Sequence, residues 1–267
     1  MPNMEKVQQK INQGFELYIG DTFSHAFDVW KKVSVFFAGL FLALGFIMGI
    51  AVILVMVTYF GGFQEYIDAA GTGELATLLK FKTTSVRILL FVLTVLMSVA
   101  FAPITAGTLQ VVRNADKGEP FSFGTVFSFY KMPYFKELAV ASMNIAILSS
   151  GILLVLFFFG IESTAINYVV SILSGILFIY THGLIIFENM SGVEALKASI
   201  SLASKKMPTI FVLHLIAYFV AFMGIIGLFI GLLFTMSILI TVNYQIYKDT
   251  LGFEEDNDSE IDSIGVQ

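Results

Sequence analysis

Long apolar runs dominate the chain, and short polar stretches separate them. Crossing the hydrocarbon core of a bilayer takes roughly 20 apolar residues in a helix. Four runs, 33–60, 86–112, 136–159 and 165–187, provide one crossing each, and the run 208–247 provides two. As one straight helix that last run would overshoot the bilayer, at about 1.5 Å per residue, so it must fold back. The stretch GIIGLFIG at 224–231 is the predicted bend, which sets the final spans at 208–223 and 228–247. A second reading of the glycines also stands. Small residues four apart, as at Gly45 and Gly49 or Gly227 and Gly231, let helices approach closely.

Between these runs the apolar positions take a helical period. FSHAFDVWK at 23–31 and FGTVFSFYK at 123–131 share one phrase, FxxxFxx[WY]K. Phe23, Ala26, Phe27 and Trp30, like Phe123, Val126, Phe127 and Tyr130, fall at i, i+3, i+4 and i+7, a single stripe of a helix. A third segment precedes the last hairpin. There Ser191 and Glu194 have capping-box spacing and Leu196, Ile200 and Ala203 make a thinner stripe. The expectation is an all-α polytopic membrane protein of six transmembrane helices in three hairpins. Each hairpin is preceded by an interfacial amphipathic helix, at about 21–32, 122–131 and 192–205, with Phe23, Phe27, Trp30, Phe123, Phe127 and Tyr130 as interfacial anchors. Two readings of these helices stand, elbows that orient the hairpins or elements that gate a cavity or recruit a partner.

Charge orients the arrangement. With the amino terminus in the cytoplasm, twelve Lys and Arg fall on the inner side and three, Lys80, Lys82 and Arg87, on the outer side. This positive-inside bias places both termini in the cytoplasm. The long outer loop contains ELATLLKFK, an amphipathic piece expected on the outer surface. Net charge is −5, but seven acidic side chains lie in 249–267, which leaves the body at +2. Residues 249–267 therefore read as a disordered acidic cytoplasmic tail, dispensable after Lys248, and the body is too weakly basic to grip nucleic acid. Cysteine is absent, which excludes disulfides and thiolate chemistry.

Chemistry is sparse. The predicted spans hold no Asp, Glu, Lys or Arg in their cores, which argues against a carboxylate-driven pump. Polar residues remain: Gln110 in the second span, Asn144 in the third, His182 in the fourth, His214 in the fifth and Asn243 in the sixth are the candidate lining of a polar cavity, with Thr94, Ser98, Thr105 and Thr108 also in the second span. Interhelical hydrogen bonds are the plainer account of the same residues. HExxH and GxSxG are absent and only three histidines exist, so neither an enzyme nor a cofactor nor a metal site is expected. Pro103 with Gly107 reads as a kink in the second span. Two functions stand: a non-enzymatic membrane module that scaffolds, binds lipid or serves as a complex subunit, and a permease for a small molecule or lipid with a cytoplasm-facing polar cavity. Membrane lipids are the expected partners, with a protein partner or a second copy of the chain also open.

IGDTFSHAFDVWKKV, the P-x-x-x-G of Pro103 to Gly107, NADKGEPFSFGTVFSFY and ALKASISLASKKMP before a glycine-rich final hairpin together carry a resemblance. The chain resembles a broad group of six-span bacterial membrane proteins, a group similar to the membrane-embedded domain of some glycerophosphodiester phosphodiesterases. The resemblance implies six spans and a bacterial inner membrane. No phosphodiesterase domain follows in this sequence, so it implies no hydrolysis.

Overall fold

The computed structural model describes residues 2–60, 62–71, 84–161, 163–227 and 230–253. Every regular element in these segments is helical: α1 (Pro2–Gln13), α2 (Ile19–Phe60), α3 (Phe63–Gly71), α4 (Thr84–Lys117), α5 (Phe123–Val126), α6 (Tyr134–Phe158), α7 (Thr164–Leu177), α8 (Thr181–Glu188), α9 (Gly192–Lys205), α10 (Met207–Met223), α11 (Ile230–Thr235) and α12 (Ile238–Leu251), with 3-10 turns at Ser128–Tyr130 and Gly224–Gly227. Six segments are long and apolar enough to cross a membrane: part of α2, α4, α6, α7 with α8, α10 with its following turn, and α11 with α12. The chain is thus built as a multi-pass membrane protein. The ELATLLKFK piece and the tail from 254 lie outside the described residues.

Neither of the first two expected interfacial helices is a separate amphipathic helix. Residues 21–32 continue without a break into α2, because no Gly or Pro interrupts 21–38. Residues 122–131 are not one helix either. The short α5 ends at Phe127 and a 3-10 turn follows, as Val126 seats its carbonyl against Gly107 of α4, where any Cβ would collide with it. Fully buried positions in the two phrases correspond, Ala26 and Val29 with Val126 and Phe129, while Phe123, Phe127 and Tyr130 stay half exposed. The third, α9, starts at the expected capping box, with Glu194 N–H donating to Ser191 Oγ and Ser191 N–H donating to the Glu194 carboxylate. Its buried face is Ala195, Leu196, Ser199, Leu202 and Ala203, and Ile200 points away from it. This is the face of a helix sunk among neighbours, since α9 packs on α1, α6, α7, α8 and α10.

Two of the six membrane segments are broken helices. The fourth breaks between Leu177 and Thr181, which frees backbone groups that nothing in a bilayer would satisfy. Ser199, fully buried on α9, closes both: its hydroxyl donates to the Leu177 carbonyl (2.8 Å) and accepts from Tyr180 N–H (3.1 Å). The sixth breaks between α11 and α12. There the Phe234 carbonyl accepts from the Trp30 indole N–H (3.0 Å) and the Ser237 hydroxyl (2.7 Å).

The predicted reversal near 224 is present, and it is also a close contact. Gly224 and Gly231 meet so tightly that a Cβ on either would strike the other's backbone, and Thr235 donates to the Ala221 carbonyl (2.7 Å). The expected packing pairs are not used. Gly45, Gly49 and Gly227 all have open space where a Cβ would stand.

The two ends of the described chain meet at one end of the bundle, where Lys6 donates to the Gly252 carbonyl (3.0 Å). The expected tail boundary after Lys248 falls inside α12, and the next residues belong to the core. Thr250, Leu251 and Phe253 are buried, and Thr22 donates to Asp249 (2.6 Å). Packing is concentrated at this end. On α4 no described residue before Ala102 is buried, and α7 buries only Ile176. The most extensive pairings are of α4 with α6 and of α2 with α12, across the expected hairpins, while α10 also packs on α11 and α12 within the last one.

Limb lengths differ. Asp116 of α4 and Lys248 of α12 are joined at 2.7 Å, which sets a common level. From there α4 runs about 48 Å to Thr84, whereas α12 with α11 reaches at most about 27 Å to Ile230. The reversal at Gly224–Gly231 lies at the end of this limb away from the Asp116–Lys248 pair. A membrane-impermeant thiol reagent is therefore expected to label Ser163→Cys and Gly227→Cys from the same face, the one opposite Lys117→Cys. Labelling of Ser163→Cys and Gly227→Cys from opposite faces would refute this arrangement.

Candidate functional site

Where the two broken segments approach α4 and α6, the bundle leaves a cavity of about 270 Å³. Its polar lining is Thr105 and Thr108 of α4, Ser174 of α7, His182 of α8 and Asn243 of α12. Leu109, Ile145, Phe178, Ile179 and Ile240 complete it as an apolar wall. Each break contributes: the turn at 178–180 brings Phe178 and Ile179 to the rim, and the start of α12 brings Ile240 and Asn243. Amphiphile sites combine such walls with a few fixed polar groups.

The five sequence candidates separate here. His182 and Asn243 line the cavity, and His214 stands behind Asn243 with Nε2 at 2.9 Å from the amide. Asn144 donates to the Val140 carbonyl of its own helix (2.8 Å) and Gln110 to Asn114 (2.7 Å), so both serve local structure away from the cavity. His182 Nε2 lies 3.3 Å from Ser142 Oγ, and the Ser142 carbonyl accepts from Ser98 (3.0 Å), a relay that ties α8, α6 and α4 together. Ser142 is the residue that a search for histidines and amides passes over. A hydroxyl in a helix usually bonds to its own preceding turn and so carries little sequence signal.

One end of the cavity is sealed. A turn beyond the lining residues, toward the termini, Val112, Ile186 and Tyr247 are all buried. Below them lies a layer of paired charges and rings. Tyr247 donates to Glu188 (3.0 Å), Tyr244 to Asp116 (2.8 Å), and the Arg113 guanidinium stacks 4.6 Å from the centre of the Phe253 ring and 5.3 Å from Phe187. The signal for Phe253 is in the sequence: Gly252 at positive φ followed by an apolar residue is the ending of a helix whose next side chain folds back on it. At the other end the wall opens, for Thr105 and Gly175 are exposed.

Among the described residues no group of three His, Asp or Glu side chains is placed to hold a metal ion. No family model, curated protein or solved structure matches this chain.

Two substitutions test the frame of the site. Ser199→Ala strips partners from the Leu177 carbonyl and Tyr180 N–H, at about 1–3 kcal/mol for each buried group left unpaired. A melting-temperature drop of several degrees is expected, against little change for Ser201→Ala on the exposed face of α9. Truncation after Phe253 is expected to preserve thermal stability, whereas truncation after Lys248 removes Thr250, Leu251 and the Phe253 stack and lowers it sharply. Identical melting of the two truncations would show that the 249–253 segment does not seal the bundle.

Proposed function

We propose that the protein is a non-enzymatic, multi-pass module of a bacterial inner membrane, with both termini cytoplasmic, that binds one lipid molecule by its polar end in the cavity. The carrying observation is that the cavity is closed toward the ion-paired layer by Val112, Ile186 and Tyr247 and opens beside the exposed Thr105 and Gly175. An amphiphile entering there meets Ser174 and Thr105 at the rim and His182 and Asn243 deeper, between apolar walls. The twelve inner cations support the orientation, and Lys6, Lys32 and Lys248 gather at the termini end. In that orientation Phe23 and Phe27, near the start of α2, stand closest to the inner headgroups.

A permease is the second reading, favoured by one feature: broken helices bordering a membrane-depth cavity are a recurrent transporter device. The Arg113–Phe253 layer opposes a standing cytoplasmic opening, so transport would require that layer to part.

The test is native mass spectrometry of the full chain purified in mild detergent. One lipid is expected to remain bound, and Ser174→Phe, which fills the cavity, is expected to lose it while melting within a few degrees of the parent. Equal retention by both would place the lipid elsewhere and refute the site. Protein-dependent flux of that lipid between leaflets of a reconstituted vesicle would instead select the permease.

A further inference from the structure

The cavity's hydrogen-bonding groups have directions, and these identify the kind of head that fits. Thr105 donates its hydroxyl proton to the Phe101 carbonyl (3.3 Å) and Thr108 to the Thr105 carbonyl (2.7 Å). A hydroxyl has one proton, so each threonine turns only lone pairs to the cavity.

His214 fixes the direction of Asn243. Its Nδ1 is 2.9 Å from the Ile210 carbonyl, an acceptor, so Nδ1 carries a proton. A second proton on Nε2 would make an imidazolium, and no Asp or Glu lines the cavity to balance it. His214 Nε2 stands 2.9 Å from the Asn243 amide oxygen; in the neutral ring Nε2 is bare and accepts, so the amide must turn over to bring its NH₂ to that contact. The amide carbonyl is then the end left for the cavity. Three acceptors on two helices, Thr105, Thr108 and Asn243, form one wall, and no Lys or Arg lines the cavity either.

From this we infer that the cavity selects an uncharged amphiphile bearing hydroxyl groups, a lipid polyol such as a monoacylglycerol, whose hydroxyls donate to the acceptor wall. A phosphate would face lone pairs with no cation to offset it, and an ammonium would be desolvated without a carboxylate. Ser174 and His182, on the facing helices, complete the match because a hydroxyl both donates and accepts. Leu109, Ile145, Phe178 and Ile179 hold the first carbons of the acyl chain. The inference rests on the lipid-binding reading of this cavity and names its ligand class.

The test titrates three probes against the full, delipidated chain in detergent: 1-monooleoylglycerol, its di-O-methyl ether, and oleoyl lysophosphatidic acid. The glycerol lipid is expected to bind at least tenfold more tightly than either of the others. Asn243→Leu and Thr108→Val are each expected to bring the ratio between the glycerol lipid and its ether toward one. Thr108→Val preserves side-chain volume and decides the matter should Asn243→Leu fail to fold. Equal affinity for the lipid and its ether, with both lost in Ser174→Phe, would overturn the acceptor wall and leave the lipid site standing. Preference for the lysophosphatidic acid would overturn the uncharged head. Failure of all three probes to bind the parent would refute the lipid-binding reading itself.

Discussion

Backbone polarity inside a bilayer is the constraint from which this architecture follows. Water is absent there, so a helix can break only where another part of the protein supplies the missing partners. The break at 178–180 meets that condition through Ser199, which donates to one freed carbonyl and accepts from one freed N–H. This explains why α9, a segment whose spacing suggests a surface helix, is buried among five others. It also explains why the cavity sits where it does. Without the break, α7 and α8 would run as one rod, and Phe178, Ile179 and His182 would not reach the same space as Asn243.

The same logic reassigns the aromatic hydroxyl and indole groups. Tyr130 donates to the Ala100 carbonyl of α4 (2.6 Å), one residue along from the Val99 carbonyl that Pro103, lacking an N–H, leaves without its helical donor. Trp30 donates to the Phe234 carbonyl at the break in the sixth segment. Both side chains hold irregular backbone in place, a task that pure headgroup anchors would not perform. Pro103 and Gly107 then act as a pair. The proline loosens one turn of α4, and the glycine gives the Val126 carbonyl room to lie against the next.

What the sequence shows follows from which signals are long and which are single atoms. The apolar runs behind α2, α4 and α6 extend over many residues, and their reading as membrane segments needs only length and hydropathy. The breaks are different. FIY at 178–180 and MS at 236–237 contain no Gly or Pro, and what permits each break is a side chain far away in the chain, Ser199 or Trp30. In α9 the periodicity favoured Ile200 because it is large. Small residues at 195, 198, 199 and 203 define the buried face, since close packing against neighbouring helices selects small residues over large ones. Within the site, His182 and Asn243 were legible as polar residues in apolar runs, whereas Asn144 and Gln110 carry the same signal and serve their own helices. Sequence distinguishes a polar residue from its surroundings but not the direction in which its helix turns it. α1 was not anticipated at all, since PNMEKVQQKINQ is polar apart from the thin stripe of Val7 and Ile11 that packs on the core.

Height is the remaining determinant of function. Burial concentrated at the Asp116–Lys248 end, and sparse along α7 and before Ala102 on α4, makes a floor at one end and leaves the other open. Interaction across the lower layer is dense, with Asp116, Lys248, Tyr244, Glu188, Tyr247, Arg113 and Phe253 in mutual contact, and that layer carries the charges the cavity lacks. Placing ion pairs at the sealed end and neutral hydroxyl and amide groups one or two turns above it separates two requirements. The charged layer pairs its own charges, and the neutral groups above it place no uncompensated charge among the apolar spans. A single row of charges at cavity depth would have met neither requirement, because it would bind its own counter-ions before any neutral ligand.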